Sequence, residues 1–163
     1  MNEAALCAGT YDPITYGHLD VIERAARIFP RVVIAVAPSH GKNPIFTVEE
    51  RVEFVKQCTA HLPGVEVEVF KCLLVDFARK KNVRVMVRGL RAFSDFEYEF
   101  QMALMNRKLD SEIETIFLMP KQDYSYVSSS NVRTVASLGG DITQFVPPPV
   151  CEALKQRFAA VSE

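Results

Sequence analysis

Four polar clusters in this chain carry residue types suited to phosphate chemistry. They read GTYDPITYGH at residues 9–18, SHGKNPIFT at 39–47, VRGLRAFSDFEYEFQMALMNR at 87–107 and YSYVSSS at 124–130. Glycine permits close backbone approach, Arg and Lys supply charge, and Ser hydroxyls beside a helix start supply donors. No Ser-His-Asp or Cys-His arrangement suggests a covalent nucleophile. The cysteines Cys7, Cys58, Cys72 and Cys151 lack C-x₂₋₄-C spacing, and His18, His40 and His61 are scattered, so no protein-ligated metal site is expected.

In the first cluster, Gly9 is expected to let the chain turn off a strand, Asp12-Pro13 to form a turn, and Gly17 to allow close approach before a helix. His18 falls in the first turn of that helix, where free N–H groups and the dipole favour an anion and a neutral imidazole. On this segment alone, a histidine near a helix start is more often a surface residue or a cap. In the second cluster Lys42 is either a solvated loop lysine or a cation reaching phosphates.

In the third, Arg88 and Arg91 bracket Gly89 and can converge on one anion, because a guanidinium fork binds two oxygens. The acidic residues after them, Asp95, Glu97 and Glu99, read equally well as a solvated helix face. In the fourth, one of Ser128, Ser129 and Ser130 suffices as an N-cap, and the others add hydroxyls to a helix N-terminus.

The elements that must position these clusters follow from the apolar pattern. Strands are expected at 4–8, 32–37, 65–70, 83–87 and 113–119, alternating with helical patterns. Thr47-x-x-Glu50 and Ser94-x-x-Glu97 read as capping boxes. A helix from about Ser129 to Gly139-Gly140 and a last one after Pro147-Pro148-Pro149 complete the chain. Such alternation predicts a single doubly wound, Rossmann-like α/β domain spanning 1–163, with five parallel strands and helices on both faces. Ligands of such sheets lie beyond the carboxyl ends of the strands, which is where all four clusters fall.

The composition is compatible. The 163 residues are 48% hydrophobic and 24% charged, with a net charge of −1. No broad positive field favours nucleic acid or an anionic membrane. No apolar run is long enough for a membrane span, the N-terminus lacks a signal pattern, and a cytoplasmic location is expected.

The Thr15-Tyr16-Gly17-His18 segment resembles the (T/H)-x-G-H signature of the nucleotidyltransferase superfamily related to class I aminoacyl-tRNA synthetases. Thr15 stands where many members have His. The longer GTYDPITYGH, the K-x-P-x-F-T-x-E-E-R stretch from Lys42 to Arg51 and the RGLRAFSDFEYE segment resemble the phosphopantetheine adenylyltransferases. Val127 to Arg133 is similar to the superfamily's I-S-S-[ST]-x-x-[RK] signature, with Val in place of Ile. The resemblance covers roughly residues 4 to 160.

That resemblance implies transfer of AMP from ATP to 4′-phosphopantetheine, giving dephospho-coenzyme A and pyrophosphate, with magnesium as cofactor. It implies catalytic roles for His18, Lys42 and Arg91. It places phosphopantetheine on Thr10, Lys42, Leu74 and Arg88. It places ATP on Thr10, Tyr11, His18, Gly89, Leu90, Arg91, Glu99, Tyr124, Ser125, Tyr126, Val127, Ser128, Ser129 and Ser130. A homohexamer and feedback inhibition by coenzyme A are implied as well. A sister adenylyl- or cytidylyltransferase, a non-catalytic nucleotide-binding module and a synthetase fragment are the rival readings.

Overall fold

The computed structural model describes residues 4–38, 44–91 and 93–159. Lys42 lies outside the described residues, as does the Ser94 side chain read above as a cap. The strands are β1 (Ala4–Gly9), β2 (Arg31–Val36), β3 (Val65–Val69), β4 (Val85–Gly89) and β5 (Glu114–Leu118). The helices are α1 (Tyr16–Ile28), α2 (Val48–Thr59), α3 (Leu74–Lys80), α4 (Phe93–Leu109), α5 (Ser129–Ser137) and α6 (Pro148–Ala159). All pairings are parallel, in the order β3-β2-β1-β4-β5. The five-stranded parallel α/β architecture is therefore as the sequence predicts.

The strand pattern explains the layering. In β1 and β2, Ala5, Cys7, Val32 and Ile34 face one core, while Leu6, Val33 and Ala35 face the other. Strands covered on both sides read as continuous apolar runs for this reason. The first core takes Ile22 of α1, Val55 of α2, Val132 of α5 and Leu154 of α6. The second takes Val75 and Phe77 of α3. Each fully buried Val, Leu or Ile contributes roughly 1.5–3 kcal/mol.

Strand order reverses between β1 and β4. Their ladder pairs only Ala5 with Val85 and Leu6 with Met86. Beyond that point Arg88 Nη1 donates to the Ala8 carbonyl, supplying a partner where the ladder has stopped. A crevice at this topological switch point follows from the fold.

One local detail differs from the sequence expectation. Gly9 does not take the sharp turn; Tyr11 does, with φ of 50°, a left-handed conformation uncommon for a non-glycine residue. Gly9 is needed for space, since a Cβ there would lie 3.0 Å from the Tyr11 ring. The capping box at Thr47 and Glu50 forms as the sequence predicts, and a further one, not expected, opens α1. Thr15 accepts from the His18 amide at 3.4 Å while its own amide donates to His18 Nδ1 at 3.0 Å.

Candidate active site

A cleft of about 640 Å³ opens at the carboxyl ends of β1 and β4. Its floor is the turn after β1, and its walls are the start of α1, the Arg88–Arg91 segment and the start of α5. Thr10, Tyr11, His18, Arg88, Gly89, Arg91, Glu99, Val127, Ser128, Ser129 and Ser130 all line it. Residues separated by more than a hundred positions thus meet in one space.

His18 is the third residue of α1 and half-buried. The Thr15 amide occupies Nδ1, so the proton of a neutral ring sits on Nε2. The Tyr11 ring packs edge-on against the imidazole at 5.2 Å. Burial, then the charges of Arg91 and Arg88, push the His18 pKa down to about 4. The neutral imidazole expected from the sequence is present in the fold, but its main cause is burial and two arginines rather than the helix dipole alone.

The arginines are held by α4. Arg88 Nε and Nη2 donate to Glu99 at 2.8 and 2.6 Å in a bidentate pair. Arg91 Nε donates to Asp95 at 2.9 Å, and its Nη1 to the Val127 carbonyl at 3.0 Å. Both cations face the cleft with fixed orientation. Gly89 between them packs tightly on α1, because a Cβ would come within 3.1 Å of Val21.

The three serines divide their work. Ser128 caps α5 by accepting from the Asn131 amide at 3.0 Å. Ser129 Oγ donates to the Pro13 carbonyl at 2.8 Å, tying α5 to the turn after β1. Ser130 Oγ accepts from Arg133 Nη2 at 3.4 Å. What the segment offers an anion is therefore chiefly the N-terminal amides of α5, which have no carbonyl one turn back to bond.

Other residues named from the sequence sit apart from the cleft lining. Leu74 opens α3 beside the second core. The Leu90 amide is engaged by the Leu118 carbonyl at 3.0 Å. Tyr124 stacks on Tyr16 at 5.9 Å, Ser125 Oγ bonds the Gln122 carbonyl, and Tyr126 is exposed beside Phe145. Cys7 lines the cleft, but burial pushes its thiol up to about 12, so it is no nucleophile near neutral pH.

Three supporting residues lie within the motifs quoted above but are given no role at the site there. Arg51, 1% exposed, donates to the carbonyls of Thr10 at 2.6 Å, Ala37 at 2.7 Å and Phe46 at 3.2 Å. Asp12 and Arg133 form a 2.9 Å ion pair at the cleft wall. Helical spacing alone places Arg51 on the inward face with Val48, Val52 and Val55, and a buried Arg among valines is the one signal that could have found it.

Among the described residues no group of three or more His, Cys, Asp or Glu side chains is placed to hold a metal ion. The cleft carboxylates Asp12, Asp95 and Glu99 are each engaged by an arginine. No helix of the described residues is long and apolar enough to cross a membrane.

Comparison with known proteins bears on the family and the fold. Residues 6–135 match the cytidylyltransferase-like family. The phosphopantetheine adenylyltransferase of Alkalilimnicola ehrlichii is 52% identical over 157 residues, covering 95% of this chain and 90% of that one. A putative nicotinate-nucleotide adenylyltransferase from Vibrio parahaemolyticus shares the fold with a TM-score of 0.70 at 20% identity, covering 96% of this chain and 93% of that one. A lipopolysaccharide core biosynthesis protein from Thermoplasma volcanium superposes with a TM-score of 0.53 at 17% identity, covering 72% of this chain and 95% of that one. The fold, the cleft at the switch point and this identity together place the chain in the phosphopantetheine adenylyltransferase family of cytidylyltransferase-like nucleotidyltransferases.

Proposed function

We propose that this enzyme transfers AMP from ATP to 4′-phosphopantetheine, releasing pyrophosphate and forming dephospho-coenzyme A. The observation that carries the reading is the convergence of His18, Arg88, Arg91 and the N-termini of α1 and α5 on one cleft. Two polyanions need such a set of fixed positive partners in order to approach each other.

The acceptor phosphate is already an anion, so no general base is needed. Its oxygen attacks the α-phosphorus of ATP in line. A new P–O bond forms as the bond to the bridging oxygen breaks, and pyrophosphate leaves with the electron pair. His18 Nε2–H donates to the α-phosphate oxygen, where charge concentrates. Arg91 and Lys42 neutralise the phosphates, with Lys42 assigned by resemblance. Arg88 and Thr10 orient the acceptor phosphate, and Leu74 supports the pantetheine arm. Gly89, Glu99 and Val127 to Ser130, which line the cleft, frame the nucleotide, with Leu90 and Tyr124 to Tyr126, outside that lining, assigned by resemblance.

Magnesium, which usually takes few protein ligands, would be held by the substrate phosphates rather than by side chains of the cleft, and would supply charge neutralisation there. The carboxylates of the cleft are committed to arginines, so they serve the site by orienting those cations.

We further read the chain as assembling into a homohexamer, with coenzyme A acting as an inhibitor that carries the groups of the product. The support for assembly is α4. From Asp95 to Leu109 no residue is buried, although Phe96, Tyr98, Phe100, Leu104, Met105 and Leu109 are apolar or aromatic. An exposed apolar face of that extent marks an interface.

The test is pyrophosphate release from ATP and magnesium with 4′-phosphopantetheine, run beside nicotinate mononucleotide and glycerol 3-phosphate. Release with 4′-phosphopantetheine alone, with dephospho-coenzyme A formed, is expected. Release only with another acceptor would assign the chain a different acceptor, and no release from folded, ATP-binding protein would favour a non-catalytic nucleotide-binding module.

A further inference from the structure

Asp12 is 5% exposed and carries a carboxylate with three donors from two separate parts of the chain. Oδ1 accepts the Phe46 amide at 3.0 Å, and Oδ2 accepts the Ile45 amide at 3.0 Å. Oδ2 also accepts Nη1 of Arg133 at 2.9 Å. A buried carboxylate needs such partners, because burying it unpaired would cost several kcal/mol.

The arrangement joins three pieces of the cleft. Asp12 sits two residues after Thr10 in the turn that forms the floor. Ile45 and Phe46 lead into α2, and Arg133 is on α5. The Phe46 peptide is gripped from both sides, since its carbonyl accepts from Arg51 Nε at 3.2 Å. The Arg51 guanidinium also holds the Thr10 carbonyl. Floor and α2 entry are thus locked twice over, once by Asp12 and once by Arg51. The Asp12–Arg133 contact is different, because it reaches across to the opposite wall.

Arg133 is 30% exposed in its side chain and lines the cleft beside Ser130. A long side chain at that place has many rotamers open to it. The ion pair and the Ser130 hydroxyl select one, removing rotamer entropy that would otherwise be lost on meeting an anion. We propose that Asp12 is a positioning residue, holding Arg133 at the cleft wall so that its guanidinium meets the anionic substrates in a preset orientation. The inference rests on the adenylyl-transfer reading above, and it adds Asp12 to the residues on which that reaction depends.

The substitution that strikes this contact with the least other loss is Asp12→Asn. If the amide oxygen takes the Oδ1 position, the Phe46 bond survives. The NH₂ group then faces both Arg133 and the Ile45 amide, donor against donor, so the Arg133 contact is separated from the Ile45 bond only by pairing this variant with one at Arg133. Arg133→Met removes the other partner, and the double variant closes a cycle. Pyrophosphate release by the unaltered enzyme is measured first, and its failure would sink the adenylyl-transfer reading itself. With the unaltered enzyme active, each single variant is expected to lose about tenfold in kcat/KM, and the double variant to lose no more than about threefold beyond the worse single. Far-UV circular dichroism should be unchanged. Losses that multiply in the double variant would overturn the proposal, because Asp12 would then act through the Ile45–Phe46 amides alone. An unaltered kcat/KM in either single variant would overturn it too. Should Asp12→Asn fail to fold, Arg133→Met still decides, since undiminished activity there leaves Asp12 nothing to position.

Discussion

The backbone N–H of Thr15 donates to Nδ1 of His18 at 3.0 Å, and this bond selects the tautomer of the imidazole. With Nδ1 occupied as an acceptor, Nε2 carries the proton and presents it away from the helix cap. The same two residues therefore start α1 and set the cleft's neutral donor. Helix capping and the proposed catalytic role of His18 draw on one contact.

Removing the imidazole tests that arrangement. His18→Ala deletes the donor aimed at developing charge and should lower kcat by roughly 10²–10³-fold. Thr15 keeps its cap to the helix through the His18 main-chain amide, so the fold should survive. Steady-state pyrophosphate release with circular dichroism checks both halves. Near-normal turnover in a folded variant would remove His18 from the chemistry.

The pH dependence follows from the His18 pKa of about 4, against an ordinary 6.5. The neutral ring is the working form, so its contribution to turnover should be level through the neutral range and fall only as pH drops through about 4. An unperturbed histidine would show the fall near 6.5 instead. Stability follows the same group. Between 6.5 and about 4 the unfolded chain holds the proton and the folded chain does not, so His18 makes stability rise with pH in that window. His18→Gln abolishes this titration. The stability difference between the enzyme and His18→Gln should therefore shift against the enzyme as pH falls from about 7 to about 4.5, measured by urea unfolding. A difference independent of pH would refute the depressed pKa.

Arg51 gives a stability prediction. Its guanidinium satisfies three carbonyls at the carboxyl ends of β1 and β2 and before α2. Arg51→Met keeps much of the volume and leaves those acceptors without their donor. At about 1–3 kcal/mol for each buried group left unsatisfied, the loss should reach about 3 kcal/mol or more, read from the urea midpoint. A change below about 0.5 kcal/mol would mean that the acceptors find other partners.

The contrast between His18 and Arg51 shows what the sequence made legible. The strand runs, the parallel order and the phosphate-suited clusters follow from local pattern, because parallel strands buried on both faces must be apolar throughout. Arg88 and Arg91 bracket Gly89 at a strand end, and His18 follows Gly17 at a helix start, where the spacing marks them. Arg51, Asp12 and Arg133 act through partners 41, 34 and 121 positions away. No periodicity records such a pairing. The Gly9–Tyr11 contact was hidden for a related reason: the spacing shows a flexible residue, while the need for it comes from a ring that folds back over the backbone.

α4 is the element through which the proposed assembly would reach the site. It carries Glu99 and Asp95, which orient Arg88 and Arg91, yet from Asp95 to Leu109 it buries no residue within the chain. Phe96, Phe100 and Leu104 follow one another at i, i+4 spacing, and Tyr98, Met105 and Leu109 form an adjacent stripe. A helix with so little support from its own chain is expected to be fixed by neighbouring copies. In an isolated chain, Leu104→Glu with Met105→Glu replaces exposed groups and should cost within about 0.5 kcal/mol per site. In an assembly the same pair buries two charges and should break it. Sedimentation velocity is expected to show smaller species for the double variant. Because the arginines hang from this helix, kcat/KM should fall with dissociation and recover in part at high protein concentration. A variant that remains assembled would remove α4 from the interface, and one that dissociates with full activity would show that the Arg88–Glu99 and Arg91–Asp95 pairs hold without neighbours.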